Sequence, residues 1–454
     1  MSKKLFSLLA FLLVLSLLLA ACGGQATPTE APPPPEEPAE PAEPEAPPEE
    51  PAEPEVVFKA CEVTDVGGID DKSFNATAWK GIEDSIAEWG IEGKYLESQQ
   101  QTDYEKNLKA FMDEGCDLIV PVGFLLGDAT AAAAEGNPDQ LFSIVDYAYD
   151  PTFPNVLGQV FNTDEAAFLA GYLAAGVSKT GTVATFGGIP IPPVTVFMDG
   201  FALGVDYYNE QNGTDVQVLG WDPAIQDGTF TGNFESKEDG RTLGLQFMDE
   251  GADIILPVAG PVGEGTAAAA IERGDVYIIG VDADWYNTVP DFKEIILSSV
   301  LKNMDITTKE SVRLVIDGEF EGGLIIGTLD NGGVGLAPFH DLDSMVSDDL
   351  KAQLDEVSAG IVAGQIATLP GAMPEPEAAE PVDFLACEVT DVGGIDDKSF
   401  NATAWKGIED SIAEWGIEGK YLESQQQTDY EKNLKAFMDE GCDLIVPVGF
   451  LLGD

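Results

Sequence analysis

Cationic side chains are scarce in this 454-residue chain: 22 Lys and Arg face 81 Asp and Glu, a formal net charge of −59. A polyanion of this kind repels nucleic acid and anionic surfaces, so no nucleic-acid partner is expected. Histidine is rarer still. His340 stands alone, which excludes a two-His metal motif and leaves no base beside a Ser or Cys at a recognisable catalytic spacing. No P-loop is present, and no catalytic residue, metal or cofactor is expected. Beyond the N-terminus no apolar run is long enough to cross a bilayer. Cysteine is sparse too, with five in all. Cys61 and Cys116, and their copies Cys387 and Cys442, fall on or beside predicted strands. They are read as buried thiols, a bridge in an exported protein being the alternative.

What is present begins with an address. Lys3 and Lys4 precede a nearly unbroken apolar run over residues 5–19, closed by Leu19, Ala20, Ala21 and Cys22. This pattern predicts a signal peptide over 1–21 rather than a spanning helix. A Cys directly after the small residues resembles the lipobox of bacterial lipoproteins. That resemblance implies lipidation of Cys22 and a location on the extracytoplasmic face of the cell membrane, lipid-anchored. Residues 28–55 are almost wholly Pro, Glu and Ala, with ten Glu and no Lys or Arg. Such a segment buries no core and extends, reaching up to roughly 90 Å at ~3.1 Å per residue. The anchor and linker thus cover 22–56, and a similar linker covers 370–385.

Between the linkers, over 57–369, short apolar runs alternate with amphipathic helices. After Ser73, which suits a helix N-terminus, Trp79, Ile82, Ile86 and Trp89 recur at helical spacing. The alternation predicts an α/β fold with parallel sheets covered on both faces. Residues 111–134 match 247–270 at 15 of 24 positions without a gap, which suggests two lobes of like architecture. A second repeat differs in kind: residues 386–454 repeat 60–128 over 69 positions without a difference. A recent duplication or a sequence-assembly artefact is the reading, with the tail a truncated copy. It is expected to be poorly packed, protease-sensitive and prone to exchange between molecules as a swapped dimer.

Open α/β sheets bind ligands beyond the carboxyl ends of their strands. Asp65, Asp146 and Asp282 each close a predicted strand, and Lys302 follows a fourth. Carboxylates accept hydrogen bonds from sugar hydroxyls and base N–H groups, while their field repels phosphate. Nucleosides or sugars therefore fit better than nucleotides. Phe74 and Phe234, each beside a predicted helix start, could stack on a base.

The motifs TDVGGIDDKSFNATAWKG, PVGFLLGDA, NTDEAAFLAGYLAA, FGGIPIPPVTVFMDGFALGV, GADIILPVAG, GVDADW, SSVLKNMD and NGGVGLAP occur in this order. Together they resemble the basic membrane protein family, nucleoside-binding lipoproteins of bacterial ABC importers, over about residues 57–362. The resemblance implies a type I periplasmic-binding-protein fold: two doubly wound parallel-sheet lobes joined by a hinge. It implies a purine nucleoside as ligand and ABC permease subunits as partners. Mapped through the motifs, Asp65 and Asp146 would hold the base, Phe74 and Phe234 would stack on it, and Asp282 and Lys302 would hold the ribose. Three departures stand out: GPVG at 260–263 replaces a more glycine-rich turn, Trp285 replaces a common Gln, and a segment around 226–232 looks inserted. Rival readings are a sugar or autoinducer receptor of the same fold and a calcium-dependent nucleoside hydrolase. TDVGGIDD is similar to the hydrolase's Asp cluster, but Val63 stands where a first Asp would coordinate the cation.

Overall fold

The computed structural model describes residues 58–371, 384–395, 400–415 and 417–449. The signal segment, Cys22, the first linker and most of the second lie outside the described residues.

The chain first lays down β1 (Lys59–Val63), β2 (Glu92–Leu96), β3 (Leu118–Pro121), β4 (Leu141–Val145) and β5 (Val156–Phe161). It then crosses at Asn162 into a second sheet: β6 (Thr182–Gly187), β7 (Gln217–Leu219), a short hairpin of β8 (Trp221–Asp222) and β9 (Asp227–Gly228), then β10 (Ile254–Val258), β11 (Tyr277–Asp282) and β12 (Ile296–Lys302). After Asn303 it returns to the first sheet for β13 (Gly323–Gly327), and it crosses once more to β14 (Val334–Leu336). The first sheet runs β2-β1-β3-β4-β5-β13, with parallel pairings. The second runs β7-β6-β10-β11-β12-β14, parallel except for its β14 edge. Both orders reverse direction once, beside β1 and beside β6, and each reversal opens a crevice at the carboxyl ends of the strands.

Why these segments fold so is visible in their faces. On β1, Ala60 and Glu62 point to one side of the sheet while Cys61 and Val63 point to the other. Helices Phe74–Trp89 and Met304–Ile316 cover the first side, and Tyr104–Glu114 with Gly127–Gly136 cover the second. In the second lobe, Thr163–Val177 packs on Pro192–Asn212 and Lys237–Asp249 on Val262–Arg273. Glycines 171 and 204 allow the first of these pairs to touch backbone to backbone, because a Cβ at either would collide with the carbonyls of Phe201 and Phe168.

The three crossings are laced together. Asn162 N donates to Gly327 O at 2.8 Å, and Asn303 Nδ2 donates to Gly332 O at 2.7 Å. Glu165 accepts from Asn162 Nδ2 and from Leu329 N. The hinge therefore consists of three strand-to-helix or strand-to-strand passages held by two asparagines and one carboxylate.

Two expectations need correction. Cys61 and Cys116 are not thiols but a disulfide, and Cys387 pairs with Cys442 in the same way. The turn before β3 brings the two Cα atoms to 6.1 Å, within bridging range. Ser73 occupies the N-cap position of the Phe74–Trp89 helix but its side chain caps nothing. Asp71 does so instead, accepting from the backbone N–H groups of Ser73, Asn75 and Ala76 at 3.1, 2.8 and 3.1 Å.

The tail repeats the start of the first lobe. Strands β15 (Leu385–Val389), β16 (Glu418–Leu422) and β17 (Leu444–Pro447) form a sheet ordered β16-β15-β17, with helices Phe400–Trp415 and Tyr430–Glu440. No described helix of the chain is long and apolar enough to cross a membrane.

Candidate functional site

A cavity enclosing about 670 Å³, part of it open solvent, lies between the lobes where both crevices face each other. Asp65, Phe74, Asp146, Phe234, Asp282 and Lys302 all line it, although they come from five separate stretches of chain.

Asp65 follows β1. Its Oδ1 accepts from Gly67 N at 2.9 Å and Asn75 Nδ2 at 2.8 Å, which orients the carboxyl. Burial raises its pKa to about 6, with the Asn75 and Gly67 hydrogen bonds pulling the other way. Asn75 is fully buried and also donates to the capping Asp71, so one amide aligns both carboxylates. Asn75 and Asp71 belong to the DDKSFN motif, yet only the fold reveals that they support Asp65.

Asp146 and Asp282 occupy like positions in the two lobes, at the ends of the fourth strand of each parallel run. Both have φ of +66°, a left-handed conformation that Asp tolerates better than most residues. Backbone strain of this kind clusters where a side chain must be aimed. Asp146 is paired with Lys302, whose Nζ lies 2.5 Å from its Oδ2, and both side chains are buried. Burial raises the pKa of Asp146 while the Lys302 charge draws it back. Asp282 has no such close partner. Burial lifts it to about 7, opposed by Lys302 and reinforced by Asp146, Asp71 and Asp65.

Lys302 is the cation among the lining residues, set against four carboxylates. Its ammonium lies 4.9 Å from the Phe74 ring centre, 5.3 Å from that of Phe161 and 5.9 Å from that of Phe197. Aromatic faces stabilise a desolvated cation in this range. Residue order alone did not single out Phe161 and Phe197; both are distant in sequence from Lys302 and reach it through the hinge and the second lobe.

Phe234 enters from the loop before the Lys237–Asp249 helix and lies directly on Gly188, where any Cβ would strike its ring. The segment around 226–232 carries β9 of the β8–β9 hairpin and delivers Phe230 against Gly187. That hairpin is moored by Asp199, whose Oδ1 accepts from Trp221 Nε1 at 2.9 Å and Gln226 Nε2 at 2.7 Å. Ile191, Pro193, Val194, Phe124 and Leu125 add apolar wall. Gly260 and Pro261 of the altered turn line the cavity as well. Trp285 does not: it is buried in the core, its Nε1 donating to Val281 O at 3.0 Å.

Chemically the site offers carboxylates that accept from O–H and N–H groups, one ammonium that donates, and apolar or aromatic walls. No cluster of His, Cys, Asp or Glu among the described residues could hold a metal ion. Asp65 and Asp71, which a calcium site would need, already accept from backbone and Asn75 donors.

The sequence and fold also match known proteins. A family described as ABC transporter substrate-binding protein, PnrA-like, matches residues 58–368 and again 384–454. An ABC transporter nucleoside-binding protein of Lactococcus lactis subsp. cremoris is 31% identical over 68% of this chain and 88% of its own length. Basic membrane protein A of Borreliella burgdorferi is 34% identical, covering 66% of this chain and 84% of its own. An ABC transporter solute-binding protein of Aeropyrum pernix superimposes with a TM-score of 0.61 at 27% identity, over 68% of this chain and 92% of that one.

Proposed function

Because this chain belongs to the PnrA-like family of ABC transporter substrate-binding proteins, we propose that it captures a purine nucleoside between its lobes and delivers it to an ABC importer. One observation carries the reading: three carboxylates, one buried lysine and two phenylalanines from both lobes line one cavity. A purine ring needs flat apolar faces and edge acceptors; a ribose needs acceptors for its hydroxyls. Phe74 and Phe234 supply the faces, with stacking worth ~1–3 kcal/mol per base. Asp65 and Asp146 take the base edge, and Asp282 with Lys302 takes the ribose. Hydrogen bonds to charged groups of this kind contribute about 1.5–3 kcal/mol each. The carboxylate majority opposes a phosphate, which separates nucleosides from nucleotides.

The protein acts as a carrier and not as an enzyme. It is held to the extracytoplasmic face of the membrane through lipid on Cys22, and the Pro/Glu linker lets the lobes reach a permease. The test is extraction of the purified protein and identification of bound small molecules by mass spectrometry. Calorimetry with inosine, guanosine, adenosine, free ribose and an aldohexose follows. Binding of nucleosides with intact release supports the proposal. Binding of sugars alone, or free base appearing when inosine is incubated with divalent cations, would replace it.

A further inference from the structure

The tail reproduces the first half of the first lobe down to its registers. Ala386 pairs with Leu444 as Ala60 pairs with Leu118, and Glu388 with Tyr421 as Glu62 with Tyr95. The disulfide is repeated. So is the ligand-facing carboxylate: Asp391 Oδ1 accepts from Gly393 N at 2.8 Å and Asn401 Nδ2 at 3.0 Å, as Asp65 Oδ1 does from Gly67 and Asn75.

What differs is the cover. In the first lobe β4 pairs along the outer edge of β3, and the Met304–Ile316 helix lies so close that a Cβ on Gly81 would sit 2.5 Å from Asp305 O. A Cβ on the equivalent Gly407 would meet nothing within 4 Å among the described residues. Leu118 is fully buried, whereas its copy Leu444 is 48% exposed. Among the described residues no strand pairs with the outer edge of β17. Among its described residues the tail lacks the contacts that β4 and the Met304–Ile316 helix make in the first lobe.

We propose that residues 60–128 and the tail are interchangeable within one chain, so that the tail can occupy the first lobe and present Asp391 to the cleft in place of Asp65. The identical sequence says what fits the tail's open face, because the elements covering it in the first lobe are known. Either copy makes the same contacts with them, and connectivity alone separates the two states. The tether is long enough. Thr368 is fixed to Asp164 beside the hinge, and the sixteen residues from 369 to 384 span ~50 Å when extended. From the hinge end of β5 to the start of β1 is about one strand length and three strand spacings, roughly 25 Å. A tethered partner also competes at about millimolar effective concentration, which places the exchange within a chain before it occurs between chains.

Two readouts test this on the full chain. The first rests on the nucleoside reading: inosine binding is measured for Asp65→Ala and for Asp65→Ala/Asp391→Ala. The single variant should keep a binding-competent population through Asp391, and the double variant should bind at least fivefold more weakly. Equal binding by the two overturns the exchange. The second needs no ligand. Lys309 pairs with Glu88 at 2.6 Å, and Glu414 is the copy of Glu88. In Glu88→Gln, which removes the resident partner, zero-length carbodiimide coupling should join Lys309 to Glu414 within monomers, detected by peptide mass spectrometry. A 309–414 link that never forms, or forms only between chains, overturns the proposal even if the nucleoside reading stands.

Discussion

Replacing Asp282 with Asn separates a ligand contact from a structural one. The positive φ at this position favours Asn over Ala, so the backbone is retained while the charge is lost. A hydrogen bond to a charged group contributes about 1.5–3 kcal/mol and a neutral one about 0.5–1.5. The variant should therefore bind inosine at pH 8 about five- to thirtyfold more weakly. The pH profile sharpens the test. In the empty protein Asp282 titrates at about 7 because burial disfavours its charge, so protons compete with a ligand that donates to the carboxylate. Affinity through this contact should fall below pH 7 and level off once the group is neutral, by no more than the roughly five- to thirtyfold that the charge contributes. With Asn the decline should start only near 6, where Asp65 titrates. Stability moves the opposite way. The folded-state pKa lies above the ordinary 3.8, so the wild-type fold loses stability as pH rises from about 4 through 7. At 1.36 kcal/mol per pH unit the ionised group costs the empty fold up to about 4 kcal/mol at pH 8. Ligand-free Asp282→Asn should thus melt higher than wild type at pH 8 and bind less well. Calorimetry at pH 5, 6, 7 and 8, with thermal denaturation of stripped protein, measures both. Unchanged affinity at pH 8, or a decline still centred at 7 in the variant, would refute the reasoning.

Three further outcomes are expected. Glu62 lies fully buried on β1 with no hydrogen-bond partner in the protein for either carboxyl oxygen, and burial holds its pKa well above the usual range. Glu62→Leu should therefore stabilise the fold by about 1–3 kcal/mol, read as a higher denaturant midpoint; a lower midpoint would mean that the carboxyl is satisfied. Gly188→Ala puts a methyl into the Phe234 ring and should cost about 1–3 kcal/mol of nucleoside binding by displacing that face, with free ribose binding little changed in parallel titrations. Cys22→Ser should move the protein from the membrane to the soluble fraction and abolish lipid labelling, and continued sedimentation with membranes would show another attachment.

Much of this molecule was legible from local pattern. Helical spacing of Trp79, Ile82, Ile86 and Trp89 located the Phe74–Trp89 helix, since burial on one face demands that period. Strand-end carboxylates pointed to the cleft because parallel α/β sheets place their carboxyl ends at the crevice. What local pattern missed depends on residues far apart in the chain. Lys302 meets Asp146 across 156 positions, and Phe161 and Phe197 join them only once the hinge has formed. The Cys61–Cys116 bridge needed β1 and β3 to become neighbours, which composition in an exported protein leaves open. Ser73 had the right residue type for a cap, but Asp71 reaches more donors.

The repeated segment divides the two contributions within one molecule. The same residues yield the same strands, helices, registers and disulfide at 60–128 and in the tail, so those features follow from sequence through local propensity and short-range pairing. Yet Leu118 is buried and Leu444 is not, and Gly81 packs on a neighbouring helix while Gly407 meets none among the described residues. The burial of Leu118 and the close packing at Gly81 come from β4 and the Met304–Ile316 helix. Only tertiary structure brings those elements into contact, because the hydrophobic surface they cover belongs to another part of the chain.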